Sequence, residues 1–177
     1  MHRSIVGFHQ DLEQHWVAEL DCGHCQHTRH EPPFFPRPWV ITESGRLEHL
    51  GQLLNCVLCD RQEIPNGYAP YRRTPLFTND SIPKGLQSRH TTKKGVWGII
   101  HVRSGSLRYR IHEPYCTETI LVGDSGAFAR ASGRLTPRAI ASPAENRQRQ
   151  GIVLPEVEHE VEPIDNVEFF VEFWKKV

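Results

Sequence analysis

Apolar and polar residues alternate loosely from Ser4 to His9 and again from Gln14 to Leu20, with a turn-capable stretch around Asp11 between them. The chain therefore opens on a predicted β-hairpin. Pro32, Pro33, Pro36 and Pro38 break any helix around Phe34 and Phe35, and Trp39-Val40-Ile41 then reads as an extended run. Leu47, Leu50, Leu53 and Leu54 follow at helical spacing behind two candidate caps, Thr42 and Ser44. They predict a short helix that delivers Cys56 and Cys59 just past its end. The stretch from Ile64 to Tyr71, with its prolines and the Asn66-Gly67 turn signal, reads as a linker. Beyond it, Val96 to Val102, Ser106 to His112, Thr119 to Val122, Gly151 to Leu154, His159 to Val161 and Val167 to Trp174 read as strands, the first two joined at Arg103-Ser104-Gly105.

Between Gly123 and Gln150 the chain is rich in Ala, Ser, Gly, Pro and Arg, with Phe128, Leu135 and Ile140 as its few large apolar residues. It predicts a mobile insertion at about 123–150. The arginines there (Arg130, Arg134, Arg138, Arg147, Arg149) read as a solvated loop rather than an anion grip.

The 177 residues allow one medium domain or two small ones. The pattern divides them into a module at 1–63, a linker at 64–70 and a mainly β domain at 71–177. No apolar run reaches the roughly 18 residues of a membrane span, and the first residues lack the apolar stretch of a secretory signal, so a cytoplasmic protein is expected. Net charge is zero overall, but residues 1–63 carry 5 basic against 9 acidic side chains. A net negative module argues against nucleic acid as a partner. The same third holds 7 of the 11 histidines and 4 of the 5 cysteines. In a reducing compartment that crowding points to metal before disulfides.

Cys22-Gly23-His24-Cys25 and Cys56-Val57-Leu58-Cys59 form a CxxC…CxxC pair, in which two tight turns each present ligands to a tetrahedral zinc. The residue types leave four ligands to be drawn from five candidates: Cys22, His24, Cys25, Cys56 and Cys59. Three thiolates plus an imidazole and four thiolates are chemically equivalent choices, and His27 and His30 stand nearby. A module of about 60 residues has a thin core, and a structural zinc supplies folding free energy that burial cannot. Cys116, in the turn Pro114-Tyr115-Cys116-Thr117, reads as a free thiol.

Two resemblances extend this reading. Residues 1–60, through Ile5-Val6-Gly7-Phe8-His9-Gln10-Asp11, Trp16-Val17-Ala18-Glu19-Leu20, Cys22-Gly23-His24 and the closing Cys56 and Cys59, resemble a small bacterial domain family of unknown function, zinc-ribbon-like in its ligand pattern. That family keeps Cys-Gly-His with a variable next residue, which implies Cys22, Cys56 and Cys59 as ligands, with His24 or Cys25 fourth. Tyr71-Arg72-Arg73-Thr74-Pro75-Leu76-Phe77-Thr78, Ile82-Pro83-Lys84-Gly85-Leu86, Arg89-His90-Thr91-Thr92-Lys93-Lys94-Gly95-Val96-Trp97-Gly98 and Leu154-Pro155-Glu156-Val157-Glu158-His159-Glu160-Val161 resemble the TehB/YeaR-like family of small tellurite-resistance-associated cupins. This resemblance implies a double-stranded β-helix barrel with a metal site at its mouth.

His90 and His159 match the early and late ligand positions of a cupin, while Thr92 and Gly98 stand where its second histidine and glutamate would be. Glu172 on the last strand is the candidate third ligand, and His101 is expected to face outward. Two histidines and a carboxylate would suit a second divalent metal: iron, zinc or nickel. Trp97, Phe169, Phe170, Phe173 and Trp174 are expected in the core.

The function that follows is a small metal-binding cupin linked to stress or tellurite resistance, binding or transforming a small molecule at the barrel mouth. The alternative is a non-catalytic sensor or adaptor whose zinc module docks a protein partner, with an oligomer compatible with either. No GxSxG, GxxxxGK[ST] or GxGxxG occurs, so neither a serine-hydrolase elbow nor a nucleotide fingerprint is present.

Overall fold

A computed structural model describes residues 1–28, 37–123 and 147–177. Most of the expected 123–150 insertion, with Arg130, Arg134 and Arg138, lies outside the described residues, as do His30 and the Pro32–Pro36 stretch. The chain divides into two compact units. The first is Met1–Ala69 with Lys93–Val96 and Lys175–Val177, and the second is Pro70–Thr92 with Trp97–Trp174.

The first unit is built on one antiparallel sheet. Strands β1 (His2–Gln10) and β2 (Trp16–Leu20) form the opening hairpin, with Ile5 opposite Leu20 and Gln10 opposite Trp16. β3 (Cys25–His27) pairs with β2, and β4 (Leu53–Asn55) with β1, giving the order β3-β2-β1-β4. Alternation turns Ile5, Ala18 and Leu20 to one buried face, each at most 2% exposed.

Trp39-Val40-Ile41, expected as extended, is instead part of a helical turn, α1 (Pro38–Ile41). Proline is favoured at the first helical position because its ring fixes the required φ and that position has no intrahelical bond to lose. The next helix, α2 (Glu43–Glu48), is shorter than the leucine spacing predicts. Thr42 caps it, its hydroxyl oxygen accepting from Gly45 N at 3.1 Å. Leu53 and Leu54 leave the helix to pair with Ser4 and Arg3 in the sheet. Cys56 and Cys59 are therefore delivered not by that helix but by β4 and the following turn, α3 (Val57–Asp60).

The second unit has two sheets. One has the order β11-β7-β13-β5, formed by β5 (Tyr68–Arg73), β7 (Trp97–Ser104), β11 (Gln150–Val153) and β13 (Glu168–Lys176), with β6 (Phe77–Thr78) also pairing β13. The other has the order β10-β9-β8-β12, formed by β8 (Ser106–Ile111), β9 (Thr117–Val122), β10 (Arg147–Gln148) and β12 (His159–Pro163). Strand β5 replaces the end of the expected linker. It lies at a sheet edge, the place where Pro70 deprives no neighbouring strand of a donor.

The sheets face each other across Trp97, Ile100, Leu107, Tyr109, Leu121 and Phe169, all at most 3% exposed. They approach so closely at Gly151 that a Cβ there would come within 2.9 Å of Leu121 and 3.1 Å of Tyr109. Of the aromatic residues expected inside, Trp97 and Phe169 are core, whereas Phe170, Phe173 and Trp174 are half-exposed. The outer face of β8, β9 and β12 carries a lattice of ion pairs: Arg108 and Arg110 with Glu118, Glu160 and Glu162, at 2.8 to 3.2 Å. Among the described residues no helix is long and apolar enough to cross a membrane.

Candidate metal centre

Four side chains of the first unit converge in its interior. Cys22 follows β2 in a tight turn closed by Gly23 N donating to Leu20 O (2.8 Å) and Leu20 N donating to His24 O (2.9 Å). That turn needs glycine at its second position. Gly23 has φ +91°, and a Cβ would lie 2.0 Å from the Tyr68 hydroxyl oxygen. Cys56 sits at the N-cap of α3, and Cys59 is carried inward by its single turn. Cys22, His24, Cys56 and Cys59 are all buried, at most 3% exposed.

Their ligand atoms lie within 4.8 Å of one another. His24 Nδ1 is 3.5 Å from Cys22 Sγ, 3.4 Å from Cys56 Sγ and 3.6 Å from Cys59 Sγ, and Cys22 Sγ is 4.0 Å from Cys56 Sγ. A tetrahedron with zinc–sulfur bonds near 2.3 Å and a zinc–nitrogen bond near 2.0 to 2.1 Å has S···N edges of about 3.5 Å and S···S edges of about 3.8 Å. The cluster can thus hold a tetrahedral zinc. The four side chains also shift one another's titration. Thiol hydrogen bonds from Cys22 and Cys59 hold Cys56 far below the ordinary thiol value, and the same contact with Cys56 pushes Cys22 up. Burial pulls His24 down, yet its contacts with Cys56 and Cys59 outweigh that and lift it to about 9.

Of the five candidate ligands, Cys25 is the one left out. It begins the edge strand β3 and is exposed, and partial desolvation by its neighbours, followed by the Glu19 carboxylate, raises its thiol above the ordinary value, the reverse of an activated nucleophile. Cys25→Ala is expected to change stability by less than about 0.5 kcal/mol and to leave metal content unaltered, as surface substitutions do. Elemental analysis and denaturant unfolding of the purified variant check this. Cys116 is also exposed, in its turn at φ +47°.

The second-unit candidates come together only in part. His90 and His159 form an isolated antiparallel bridge, exchanging backbone hydrogen bonds at 2.9 and 3.1 Å, and their rings lie 4.2 Å apart. Each Nδ1 is tied to a backbone carbonyl, His90 to Ser88 O (2.9 Å) and His159 to Val157 O (2.8 Å). Glu172 is elsewhere: its carboxylate accepts from Trp174 Nε1 at 3.1 Å and lies 3.9 Å from His101 Nε2, on the outward side of β13. It faces away because its neighbours in sequence, Val171 and Phe173, alternate with it, and Val171 is the buried one. Among the described residues, His90 and His159 belong to no group of three ligand-capable side chains within mutual reach. The expected three-ligand site with Glu172 is corrected accordingly.

His159 nonetheless leaves a pH signature. Burial, its largest cause, pulls the imidazole down to about 4 against an ordinary 6.5; the Val157 carbonyl opposes this, and His90 and His112 add to it. The folded state holds His159 neutral while the unfolded chain takes up a proton. The contribution is therefore fully present above about pH 6.5 and is lost as pH falls toward 4, by roughly 3 kcal/mol in all. Urea unfolding of the second unit at pH 7 and pH 4 should show a smaller acid loss in His159→Gln than in the parent. Equal losses would remove His159 as the cause.

A further ligand-capable group went unread in the sequence. Asp11, Glu13 and His15 bring their ligand atoms within 4.8 Å of one another, and their i, i+2, i+4 spacing was the available signal.

Residues 6–63 match the family model described as protein of unknown function (DUF3565), and residues 72–131 match that of the TehB-like domain. Two curated relatives, each named "Probable S-adenosyl-L-methionine-dependent methyltransferase TehB", come from two strains of Haemophilus influenzae. The chain is 38% and 36% identical to them over 39 residues, which are 22% of this chain and 14% of each relative. Among solved structures, the crystal structure of TehB from Haemophilus influenzae gives a TM-score of 0.45 at 23% identity, covering 63% of this chain and 32% of that one. A crystal structure of a protein from E. coli (strain K12) gives 0.48 at 18% identity, covering 65% and 97%.

These names overturn the expected function, a metal-binding cupin acting at its barrel mouth, because the relatives are named for S-adenosyl-L-methionine-dependent methyl transfer and not for metal-centred chemistry. The chain joins a segment matching the DUF3565 family to a segment matching the TehB-like domain.

Proposed function

We propose that the first unit is a structural zinc module, in which Cys22, His24, Cys56 and Cys59 hold one Zn²⁺ and leave no position open for water. The observation that carries this is the agreement of three S···N separations, 3.4 to 3.6 Å, with the edge of a zinc tetrahedron. A closed four-ligand set of this kind serves folding rather than catalysis. The reading includes a zinc-ribbon-like module up to residue 63, a boundary within 64–70, and a second unit whose two facing sheets are the halves of a cupin-type double-stranded β-helix. The contact of Gly151 with Leu121 and Tyr109 across the sheets supports that last point as a matter of fold alone.

For the chain as a whole, the TehB-like segment supports a place in resistance to tellurite-type oxyanions, in a reducing compartment where the thiols stay available to metal. Methyl transfer is not carried over, since the matched 39 residues are 14% of the relatives' length. The test has two arms. Elemental analysis should find about one zinc per chain, and cobalt substitution should give the intense sulfur-to-metal absorption of a thiolate site. Cells lacking the protein should be more sensitive to tellurite and be rescued by the parent but not by Cys56→Ser. Metal-free folded protein would overturn the zinc module, and unchanged tellurite tolerance would overturn the oxyanion role.

A further inference from the structure

The tip of the first hairpin gathers a second set of ligand-capable side chains, separate from the cysteine cluster. Asp11 closes the turn with one of its oxygens: Oδ1 accepts from Glu13 N at 2.9 Å and from His15 N at 2.8 Å. Its other oxygen is turned to two imidazoles, Oδ2 lying 3.7 Å from His15 Nδ1 and 3.6 Å from His27 Nδ1. Glu13 Oε2 is 3.2 Å from the same His15 nitrogen. The two imidazoles arrive from different strands, since His15 leads into β2 and His27 ends β3 opposite Val17. Asp11, Glu13 and His15 have their ligand atoms all within 4.8 Å of one another, and His27 reaches this group from β3 through Asp11.

The separations discriminate between two explanations. A charge-assisted hydrogen bond closes to roughly 2.7 to 2.9 Å. His9 and Glu19, in the same hairpin, do this at 2.8 Å. The two separations between Asp11 and the imidazoles are too long for such a bond. They are close to the edge of about 3.4 Å between nitrogen and oxygen ligands that share one ion at bond lengths of about 2.0 to 2.1 Å. The two carboxylates also bring two negative charges, which one divalent cation balances. A donor set mixing imidazole with carboxylate and lacking sulfur suits zinc, nickel or copper better than magnesium or calcium.

We propose that Asp11, Glu13, His15 and His27 form a second, exchangeable binding site for a borderline divalent transition-metal ion such as Zn²⁺ at the tip of the β1–β2 hairpin. The site is open to solvent, its histidine side chains being 36% and 54% exposed, so the ion enters and leaves without unfolding. It is independent of the structural zinc proposed for the cysteine cluster.

The experiment uses the full chain with its tightly held metal in place and titrates in Zn²⁺, then Co²⁺, by calorimetry and absorption. A second equivalent is expected, and its cobalt spectrum should be weak and free of sulfur-to-metal bands. His15→Gln with His27→Gln is expected to weaken that equivalent by at least about 100-fold, beyond the 10- to 100-fold typical of losing only an outer partner. Tightly held zinc should stay unchanged. Asp11 is left in place because it closes the turn. His2→Gln with His9→Gln, which removes two imidazoles of the same strand β1 outside the site, should keep the second equivalent. No second equivalent in the parent, or one that the His15/His27 pair does not affect, would overturn the site. Sulfur-to-metal absorption reports the cysteine cluster separately, so failure there leaves this test readable.

Discussion

Replacing Cys59 by serine should empty the metal cluster and unfold the first unit while the second unit stays folded. The size of the effect follows from how little else holds that unit together. Among the described residues, its buried apolar side chains are Ile5, Val17, Ala18, Leu20 and Val40, together with three of the cysteines. By contrast Leu47, Leu53 and Val57 are each at least 50% exposed. A core this thin does not offset the conformational entropy of ordering some sixty residues. A structural zinc contributes on the order of 10 to 16 kcal/mol at neutral pH, as much as or more than the roughly 5 to 15 kcal/mol total stability of a typical domain.

The loss should therefore be all-or-none, not graded. Amide hydrogen exchange on the full chain would show protection vanishing across β1–β4 and persisting in β7, β8 and β13. A chelator added to the parent should reproduce the pattern, and Cys25→Ala should not. Retention of a cooperative first-unit transition in Cys59→Ser, within about 1 kcal/mol of the parent, would mean that packing alone suffices.

That cluster was legible because its chemistry is written locally, as two pairs of ligand-type residues three apart. The choice between His24 and Cys25 was not. It depends on the positive φ of Gly23, which turns His24 inward, and on the chain entering the edge strand β3 at Cys25. The strands of the second unit were legible from period-2 alternation, which also placed His101 opposite Ile100. Alternation says which face a residue occupies and nothing about what that face meets. Glu172 was a reasonable ligand by chain order, yet its face of β13 carries His101 and Phe170 rather than His159. Strand β5 was masked by Pro65, Asn66, Gly67 and Pro70, which read as linker. The turn is real, with Gly67 at φ +77° and Tyr68 N donating to Pro65 O at 3.3 Å, but the edge position tolerates Pro70 and the strand begins at once. The helical turn at Pro38 was hidden in the same way, by a β-branched and aromatic run too short for propensity to decide.

The same alternation makes a sharp contrast at adjacent positions of β13. Phe169 is fully buried, sits opposite Val102 on β7, and has its ring 5.5 Å from that of Phe77. Phe170, the next residue, points the other way, stacked on His101 at 4.7 Å with the Arg73 guanidinium 3.6 Å over its ring. Phe169→Ala removes a large ring from the middle of a sheet whose strands on both sides are paired, where collapse around the void is hard. It is expected to cost about 3 to 5 kcal/mol. Phe170→Ala gives up one cation–π contact and one aromatic stack at a half-exposed face, worth together about 1 to 2 kcal/mol. Urea midpoints of the second-unit transition, read at constant slope, separate the two values. Zinc content should be the same in both variants. Comparable losses at 169 and 170 would mean that the inward face of β13 has been assigned to the wrong register, since a one-residue slip exchanges the two rings.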